Sequence, residues 1–111
     1  MTMTESAYRL EYYQKESGSI PFREWLESLR DRTAIARIHI RLGRVRLGNF
    51  GNIKPVGDGV SELKVDQGPG YRVYYAMSVK AVVLLLIGGD KSTQSKDIET
   101  AKRYWQDYQV R

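Results

Sequence analysis

The chain has 111 residues, 41% apolar and 28% charged, a composition typical of a folded globular domain rather than a disordered tail. The absence of cysteine excludes a disulfide framework and any thiolate nucleophile or metal ligand. The net charge is +5, and residues 30–54 hold seven basic residues against one acid, Asp31, so the local excess indicates an acidic protein or a phosphate backbone as partner.

The length predicts one domain over residues 1–111, because it lies close to the commonest domain size. Residues 1–15 include Glu5 and Glu11 and contain no apolar core, so we expect no signal peptide and place the protein in the cytoplasm. The longest apolar run, Ala81 to Ile87, is too short for a membrane helix, which needs about 20 residues. We therefore expect no membrane partner.

The first half of the chain predicts a strand followed by two helices. Residues 8–14 are aromatic and loosely alternating, which favours a strand. After a break at 17–19, apolar residues recur at the spacing of one helix face. That face comprises Phe22, Trp25, Leu26 and Leu29. A second helix is predicted over 34–47, with Ala34, Ile35, Ile38, Leu42 and Val45 turned inward.

The outer side of the second predicted helix carries Arg37, Arg41 and Arg44 at i, i+4 and i+7. Three guanidinium groups in one stripe predict either a contact with nucleic-acid phosphates or an ordinary solvated face. The glycines, asparagines and proline of residues 48–57 then predict a long loop, which places Lys54 on that loop.

Two alternating stretches, Val60 to Asp66 and Tyr71 to Met77, predict a hairpin. Its apolar side chains share one face only if Leu63 lies opposite Val73, which requires the five-residue connection 66–70. The same register sets Lys64 opposite Arg72. Because directly opposed like charges destabilise a sheet by up to about 1 kcal/mol, this pair indicates an anion bound above it.

The run from Ala81 to Ile87 is apolar without alternation and stops at Gly88-Gly89, which predicts a strand buried on both faces. Asp90 and Lys91 follow at once and are therefore candidate site residues. Ser92 or Thr93 is predicted to cap a final helix over 94–108. The resulting order β-α-α-β-β-β-α predicts an α+β fold with a mostly antiparallel sheet.

A polar sheet face with Lys64, Arg72 and Tyr74, beside Lys54 and Lys91, is the main candidate site. Cations and phenols without paired carboxylates suit phosphodiester chemistry, in which Lys and Arg stabilise phosphate charge. On this face we expect Arg72 to point away from the core. The plain alternative is that these residues are simply the solvated side of a hairpin.

The remaining polar residues, one histidine and several scattered acids, give only weak evidence of a functional site. The single histidine, His39, has no His or Cys partner, and we interpret it as structural. The acids Asp58, Glu62, Asp66 and Asp90 have no ligand spacing and fit solvated surface, so we expect neither a metal site nor a cofactor.

Three stretches together resemble the HigB-like "addiction module killer" branch of the RelE/ParE toxin superfamily. They are SIPFREWLESL (Ser19 to Leu29), GVSELKVDQGPGYRVYYA (Gly59 to Ala76) and VVLLLIGGDKSTQSKDIETAKRYW (Val82 to Trp105). The resemblance implies a small basic α+β toxin of a type II toxin–antitoxin system that enters the ribosome and cleaves mRNA. It also implies a cognate antitoxin, resembling a helix-turn-helix repressor, that inhibits the toxin and links the complex to operator DNA.

Carried over by position, the resemblance assigns three catalytic residues. Lys64, or a water it positions, helps to activate the ribose 2′-OH; Arg72 holds the scissile phosphate; and Lys91 stabilises the transition-state charge or the leaving oxygen. Apart from the resemblance, the charge pattern and the polar face make Lys54, Tyr74 and the arginine stripe, Arg37, Arg41 and Arg44, candidate RNA contacts. The chain departs from the family it resembles early in the last helix, where RelE has a tyrosine roughly at the position of Asp97, and it lacks the histidines that other HigB toxins use.

Two alternatives share these features. ParE relatives have the same fold and inhibit DNA gyrase without cutting RNA, so the fold does not select the target. A toxin-like chain that has lost its toxicity can also persist as an interaction module of a phage or mobile element.

Overall fold

The structure, a computed structural model, describes residues 7–111. The elements follow in the order β1 (Arg9–Tyr12), α1 (Pro21–Ser28), α2 (Arg32–Arg46), β2 (Ile53–Gly57), β3 (Val60–Val65), β4 (Tyr71–Met77), β5 (Val82–Asp90), a 3₁₀ turn (Lys91–Thr93) and α3 (Gln94–Gln109). The α+β class is confirmed, with one strand more than predicted. The signal-peptide prediction rests partly on residues 1–6, which lie outside the described residues.

The five strands form one sheet in the order β1-β5-β4-β3-β2. Only β1 and β5 run parallel, and the other three pairs are antiparallel, so the predicted mostly antiparallel sheet is confirmed. β5 lies inside the sheet and is covered on both faces, as its unbroken apolar sequence indicates. None of the helices within the described range is long and apolar enough to cross a membrane.

The predicted hairpin register is confirmed. Leu63 pairs with Val73 and Lys64 with Arg72, and the connection is the five residues 66–70. The physical reason is the period of two along a strand: any shift by one residue moves Leu63 and Val73 out of the core.

The loop prediction for residues 48–57 is wrong at its end, because Ile53–Gly57 forms β2 and pairs antiparallel with β3. This is an edge strand with mostly exposed side chains, and Pro55 is tolerated there because an edge position does not need every backbone N–H. Lys54 therefore lies on a strand, opposite Glu62.

The sheet is covered on both faces. α1 and α2 bury one face through a large apolar cluster that includes Phe22, Leu26, Ile38, Leu42, Val45, Leu63, Val73 and Leu85. α3 covers the other face, where a smaller cluster includes Tyr13, Val60, Tyr74, Ala76, Leu84, Leu86 and Ala101. The predicted stripes of α1 and α2 thus pack on the same face of the sheet, and α3 packs on the opposite face.

A β-bulge in β5 controls which face its last residues meet. Tyr75 pairs with Leu85 and Tyr74 with Ile87, so Leu86 is the extra residue. After it the alternation shifts by one position. A Cβ added to Gly88 would meet Trp25 of α1, whereas one added to Gly89 would meet Asp97 of α3.

Candidate functional site

The three residues predicted to be catalytic, Lys64, Arg72 and Lys91, line one cleft of about 410 Å³. They come from the end of β3, the start of β4 and the 3₁₀ turn after β5. Asp66 and the loop 67–70 complete the wall. We call this site the cation cleft; its three cations and one carboxylate suit a phosphate-bearing ligand.

Arg72 is buried rather than turned into solvent, with 7% of its surface exposed, so the expectation that it points away from the core is wrong. Its Nη1 donates to the carbonyl of Gly70 at 2.9 Å. Its Nε lies 3.4 Å from Oε1 of Glu62, an ion-pair distance without the alignment of a hydrogen bond. These two partners fix the guanidinium at the wall of the cleft.

Glu62 was interpreted as solvated surface, but it is buried beneath the start of α3. Besides Arg72, its carboxylate accepts hydrogen bonds from the Tyr74 hydroxyl at 3.0 Å and from Nε2 of Gln94 at 2.9 Å. A buried carboxylate needs such partners, because removing its charge from water without them costs on the order of several kcal/mol. Glu62 thus ties β4 and α3 together behind the cleft.

Tyr74 was predicted to contact RNA, and the structure does not place it for that role. It is 0% exposed and lies in the cluster beneath α3. Burial raises the pKa of its phenol, and the neighbouring Glu62 carboxylate adds to that effect. The neutral hydroxyl is therefore held as a donor to Glu62.

The like-charged pair Lys64 and Arg72 has carboxylate neighbours within the protein. Nζ of Lys64 lies 3.5 Å from Asp66, and Arg72 faces Glu62. Because these carboxylates already offset the repulsion, a bound anion is not needed to explain the pair. The Lys64 side chain remains 41% exposed and so is accessible from the cleft.

Lys91 is exposed at the start of the 3₁₀ turn that leads into α3. Asp90 caps this turn by accepting hydrogen bonds from the backbone N–H of Ser92 at 2.8 Å and from its hydroxyl at 2.5 Å. These bonds are the main reason why the pKa of Asp90 is lowered. Thr93 occupies the N-cap position of α3, as predicted, but its side chain makes no capping hydrogen bond to the helix.

Thr93 instead donates its hydroxyl to Asp97 at 2.5 Å. Asp97 is buried against Gly89, the β5 partner of Arg72. Burial raises the pKa of Asp97. Only a residue without a Cβ fits at position 89, because that atom would lie 1.8 Å from Oδ2 of Asp97.

The predicted RNA-binding residues of α2 fall into two groups. Arg37 and Arg44 are exposed. Arg41 is partly buried and donates to the carbonyls of Lys64 at 2.5 Å and Phe50 at 2.7 Å. Arg41 therefore fixes the end of β3 and the segment before β2, and it does not complete an open stripe.

Two other predicted residues lie outside the cation cleft. Lys54 is exposed on β2, one strand away from it. His39 is exposed on α2 in a groove beside β1, with Tyr12 and Arg46 as neighbours. A larger cavity of about 720 Å³ opens at the opposite end of β5, around Arg46 and Lys80, and holds none of the predicted site residues. Within residues 7–111, no cluster of three or more His, Asp or Glu side chains is arranged to hold a metal ion.

Sequence reasoning missed Glu62, Gln94 and Asp97, which lie behind the cleft and do not line it. A signal for Glu62 was present, because its position in β3 places it on the same face as Lys64. No local pattern indicates Gln94 or Asp97, since their role depends on where α3 crosses the sheet.

Residues 24–106 match the family described as Phage derived protein Gp49-like (DUF891). An uncharacterized protein of Haemophilus influenzae is 50% identical over 84 residues, which cover 76% of this chain and 85% of that protein. The family match spans β3, β4, β5 and most of α3, and therefore includes the residues that line the cation cleft.

Proposed function

We propose, from the premise that this chain belongs to the Gp49-like family of phage-derived proteins, that it is the toxin of a type II toxin–antitoxin pair and cleaves mRNA on the ribosome. The family is toxin-like, related to the RelE/ParE addiction modules and associated with toxin–antitoxin modules. We assign the chain to the HigB-like branch of that superfamily because of its GYRVY hairpin (Gly70 to Tyr74) and GGDKSTQ turn (Gly88 to Gln94).

The observation that carries the proposal is the convergence of Lys64, Arg72 and Lys91 on the cation cleft. Cleavage of RNA through its 2′-OH needs no metal if fixed cations stabilise the charge that develops on the phosphate oxygens. Arg72 suits this role best, because Glu62 and Gly70 hold its guanidinium in place before the substrate arrives. Lys64 and Lys91 flank it with more exposed charges.

In this function Arg72 holds the scissile phosphate, and Lys91 neutralises the oxygen that leaves. Lys64 supports activation of the ribose 2′-OH from the opposite wall. Arg37, Arg44 and Lys54 are exposed cations outside the cleft and would contact RNA phosphates of the ribosome or of the message. The whole chain acts as one RelE-like domain in the cytoplasm, where its target is found.

The partner is a cognate antitoxin of the helix-turn-helix kind, encoded beside the toxin, which also ties the complex to operator DNA. The segment 30–54, with seven basic residues and one acid, offers the contact for an acidic antitoxin. Co-expression with the neighbouring reading frame should rescue growth and yield a complex that co-purifies. Neither rescue nor complex would count against the toxin assignment.

The catalytic test uses Lys91 instead of Arg72, because substitution of the buried Arg72 also breaks an ion pair that supports the fold. Lys91→Ala should lower cleavage of ribosome-bound mRNA by about 10²- to 10³-fold, the loss typical for one charge-stabilising group. Lys96→Ala is the matched control, since Lys96 is also exposed near the start of α3 but does not line the cleft. The readout is growth after induction together with mapped mRNA ends.

Three results would redirect the proposal. Equal cleavage by the wild type and Lys91→Ala would remove Lys91 from the site. Intact mRNA with accumulated DNA breaks would favour gyrase inhibition as in ParE relatives. Absence of any growth defect from the wild-type chain expressed alone would identify an interaction module without toxicity.

A further inference from the structure

The cation cleft lacks an evident proton acceptor among its cations. A 2′-OH becomes a nucleophile only if a base takes its proton as it attacks phosphorus. An ammonium and a guanidinium donate hydrogen bonds and accept none, so Lys64, Arg72 and Lys91 do not supply that base while they carry the charge that the phosphate needs. The acceptor must come from another part of the wall.

Asp66 is the one carboxylate that lines the cleft among the residues the structure describes. It follows directly on β3, its side chain is 75% exposed, and it lies 3.5 Å from Nζ of Lys64. Two nearby carboxylates are already engaged: Glu62 is buried against Arg72, and Asp90 caps the 3₁₀ turn. Asp66 is therefore accessible to a ligand in the cleft and paired with Lys64 there, and it also borders the groove that holds Arg41 and Arg44 of α2.

We propose, resting on the mRNA-cleavage function above, that the Asp66 carboxylate is the general base that accepts the proton of the ribose 2′-OH. Lys64 is then a positioning residue, which holds the carboxylate and adds positive charge beside the phosphate. This places proton acceptance on Asp66 instead of on Lys64 or a water bound to it. The pairing of Lys64 with Asp66 explains how one wall of the cleft provides both a base and a cation.

In the cleavage step, Asp66 gains one proton and Lys91 gives one up. The 2′-oxygen bonds to phosphorus and its proton passes to Asp66, while the bond from phosphorus to the 5′-oxygen breaks. The departing 5′-oxygen takes a proton from the Lys91 ammonium, and Arg72 holds the non-bridging oxygens. The products are a 2′,3′-cyclic phosphate and a 5′-hydroxyl end. Exchange with water returns a proton to Lys91 and removes one from Asp66.

An ordinary surface ion pair is the competing explanation, and the chain contains a matched example of one. Asp58 lies 3.8 Å from Nζ of Lys102 and its side chain is 76% exposed, nearly the same geometry as Asp66 with Lys64. Asp58 lies on the turn between β2 and β3 and does not line the cleft. Asp58→Asn is therefore the control for Asp66→Asn.

The experiment measures single-turnover cleavage of a short mRNA bound to purified ribosomes by the full chain and its variants. Asp66→Asn should slow cleavage by about 10²- to 10⁴-fold, the contribution typical of a positioned general base. Its affinity for programmed ribosomes carrying a 2′-deoxy nucleotide at the cleavage position should not fall, because the amide has the size of the carboxylate and removes a negative charge beside Lys64. Asp58→Asn should match the wild type in both measurements.

The pH dependence separates a base from a structural group. With Asp66 absent, hydroxide must take the proton, so the residual rate of Asp66→Asn should rise by about tenfold per pH unit near neutrality. The wild-type rate should change much less over the same range. Asp66→Glu, which keeps a carboxylate, should recover part of the rate and lose the steep slope.

The outcomes distinguish the two proposals. Cleavage by Asp66→Asn within about threefold of the wild type, or a joint loss of ribosome binding and cleavage, would overturn the base assignment and leave the nuclease function standing. Failure of the wild type to cleave ribosome-bound mRNA would overturn both. Slow cleavage with intact binding and the steep pH slope is the result that supports Asp66.

Discussion

The two faces of the sheet are both buried, but in different ways. The face beneath α1 and α2 is apolar: Phe22, Ile38 and Val73 are 0% exposed and touch other apolar side chains. The face beneath α3 is apolar only towards one end. At the other end it buries Glu62 and Arg72, which form an ion pair of opposite charges.

The difference shows where stability and function lie. Apolar burial contributes roughly 25 cal/mol per Å² and does not depend on exact partners, so the α1 and α2 face secures the fold. A buried ion pair adds little stability over an apolar pair of the same volume. The polar end of the α3 face is therefore best explained by the cation cleft, because Glu62 fixes the arginine that the cleft presents.

The largest expected effect comes from breaking the buried pair. Glu62→Ala leaves the Arg72 guanidinium buried without its carboxylate and should lower the free energy of unfolding by about 3 to 5 kcal/mol. Phe22→Ala on the opposite face should cost a similar amount, about 3 to 5 kcal/mol, through a cavity. Urea unfolding at neutral pH measures both.

A double variant separates the two causes. Glu62→Leu with Arg72→Met removes both charges and should recover most of the stability, since apolar replacement of a buried pair is often neutral or stabilising. It should have no mRNA cleavage activity. Stability of Glu62→Ala within about 1 kcal/mol of the wild type would show that solvent reaches Arg72 and would contradict its burial.

Gly88 and Gly89 follow the bulge and lie against opposite faces of the sheet, so a substitution at each one tests a different face. An added Cβ would lie 2.2 Å from Cε3 of Trp25 at Gly88 and 1.8 Å from Oδ2 of Asp97 at Gly89. Overpacking of this kind costs about 1 to 3 kcal/mol, so Gly88→Ala and Gly89→Ala should both lower the free energy of unfolding in urea. Only Gly89→Ala displaces the start of α3 beside Lys91, so only it should abolish growth inhibition at a temperature where both variants are folded. Equal toxicity of the two folded variants would contradict this division.

A smaller effect is expected on the outer side of α2. Arg41→Ala loses two charge-assisted hydrogen bonds to backbone carbonyls and should lower the free energy of unfolding by about 1 to 3 kcal/mol. Arg37→Ala combined with Arg44→Ala should change it by less than about 0.5 kcal/mol per site, as exposed side chains do. If these two arginines bind ribosomal RNA, each lost phosphate contact should reduce the salt slope of ribosome binding by about 0.7 to 0.9. An unchanged slope would leave them as solvated surface.

The smallest effect concerns pH. Burial raises the pKa of Asp97, so its contribution to stability is greatest at low pH and falls as pH rises from the usual carboxyl range towards the raised value. Asp97→Asn cannot ionise, and it should gain stability relative to the wild type as pH rises through that window. Urea unfolding at a series of pH values measures the difference.

Asp107 provides the control, because its pKa is shifted in the opposite direction to that of Asp97. Its pKa is lowered, mainly by the hydrogen bond from Tyr13, so its contribution is present above the usual carboxyl range and is lost as pH falls. Asp107→Asn should therefore gain relative to the wild type as pH falls. Slopes of the same sign for the two variants would contradict the assignment of Asp97 as the carboxyl that burial disfavours.

The sequence predicted much of this architecture, because strand and helix periods are local properties. The register of Lys64 opposite Arg72 followed from placing Leu63 and Val73 on one face. The meeting of Lys64, Arg72 and Lys91 in one cleft follows from that register and from the end of β5 lying beside the start of β4. The strand Ile53–Gly57 was missed because Gly, Asn and Pro also occur at sheet edges.

Tertiary structure alone decided which polar residues are covered. Alternation along β3 and β4 identifies the face that carries Glu62, Arg72 and Tyr74, but a polar face looks the same in sequence whether it meets water or a helix. The crossing of α3 buried that face, and the extra residue Leu86 in β5 turned Gly89, instead of Gly88, towards Asp97. Both depend on contacts between segments far apart in the chain, and a local pattern carries no information about such contacts.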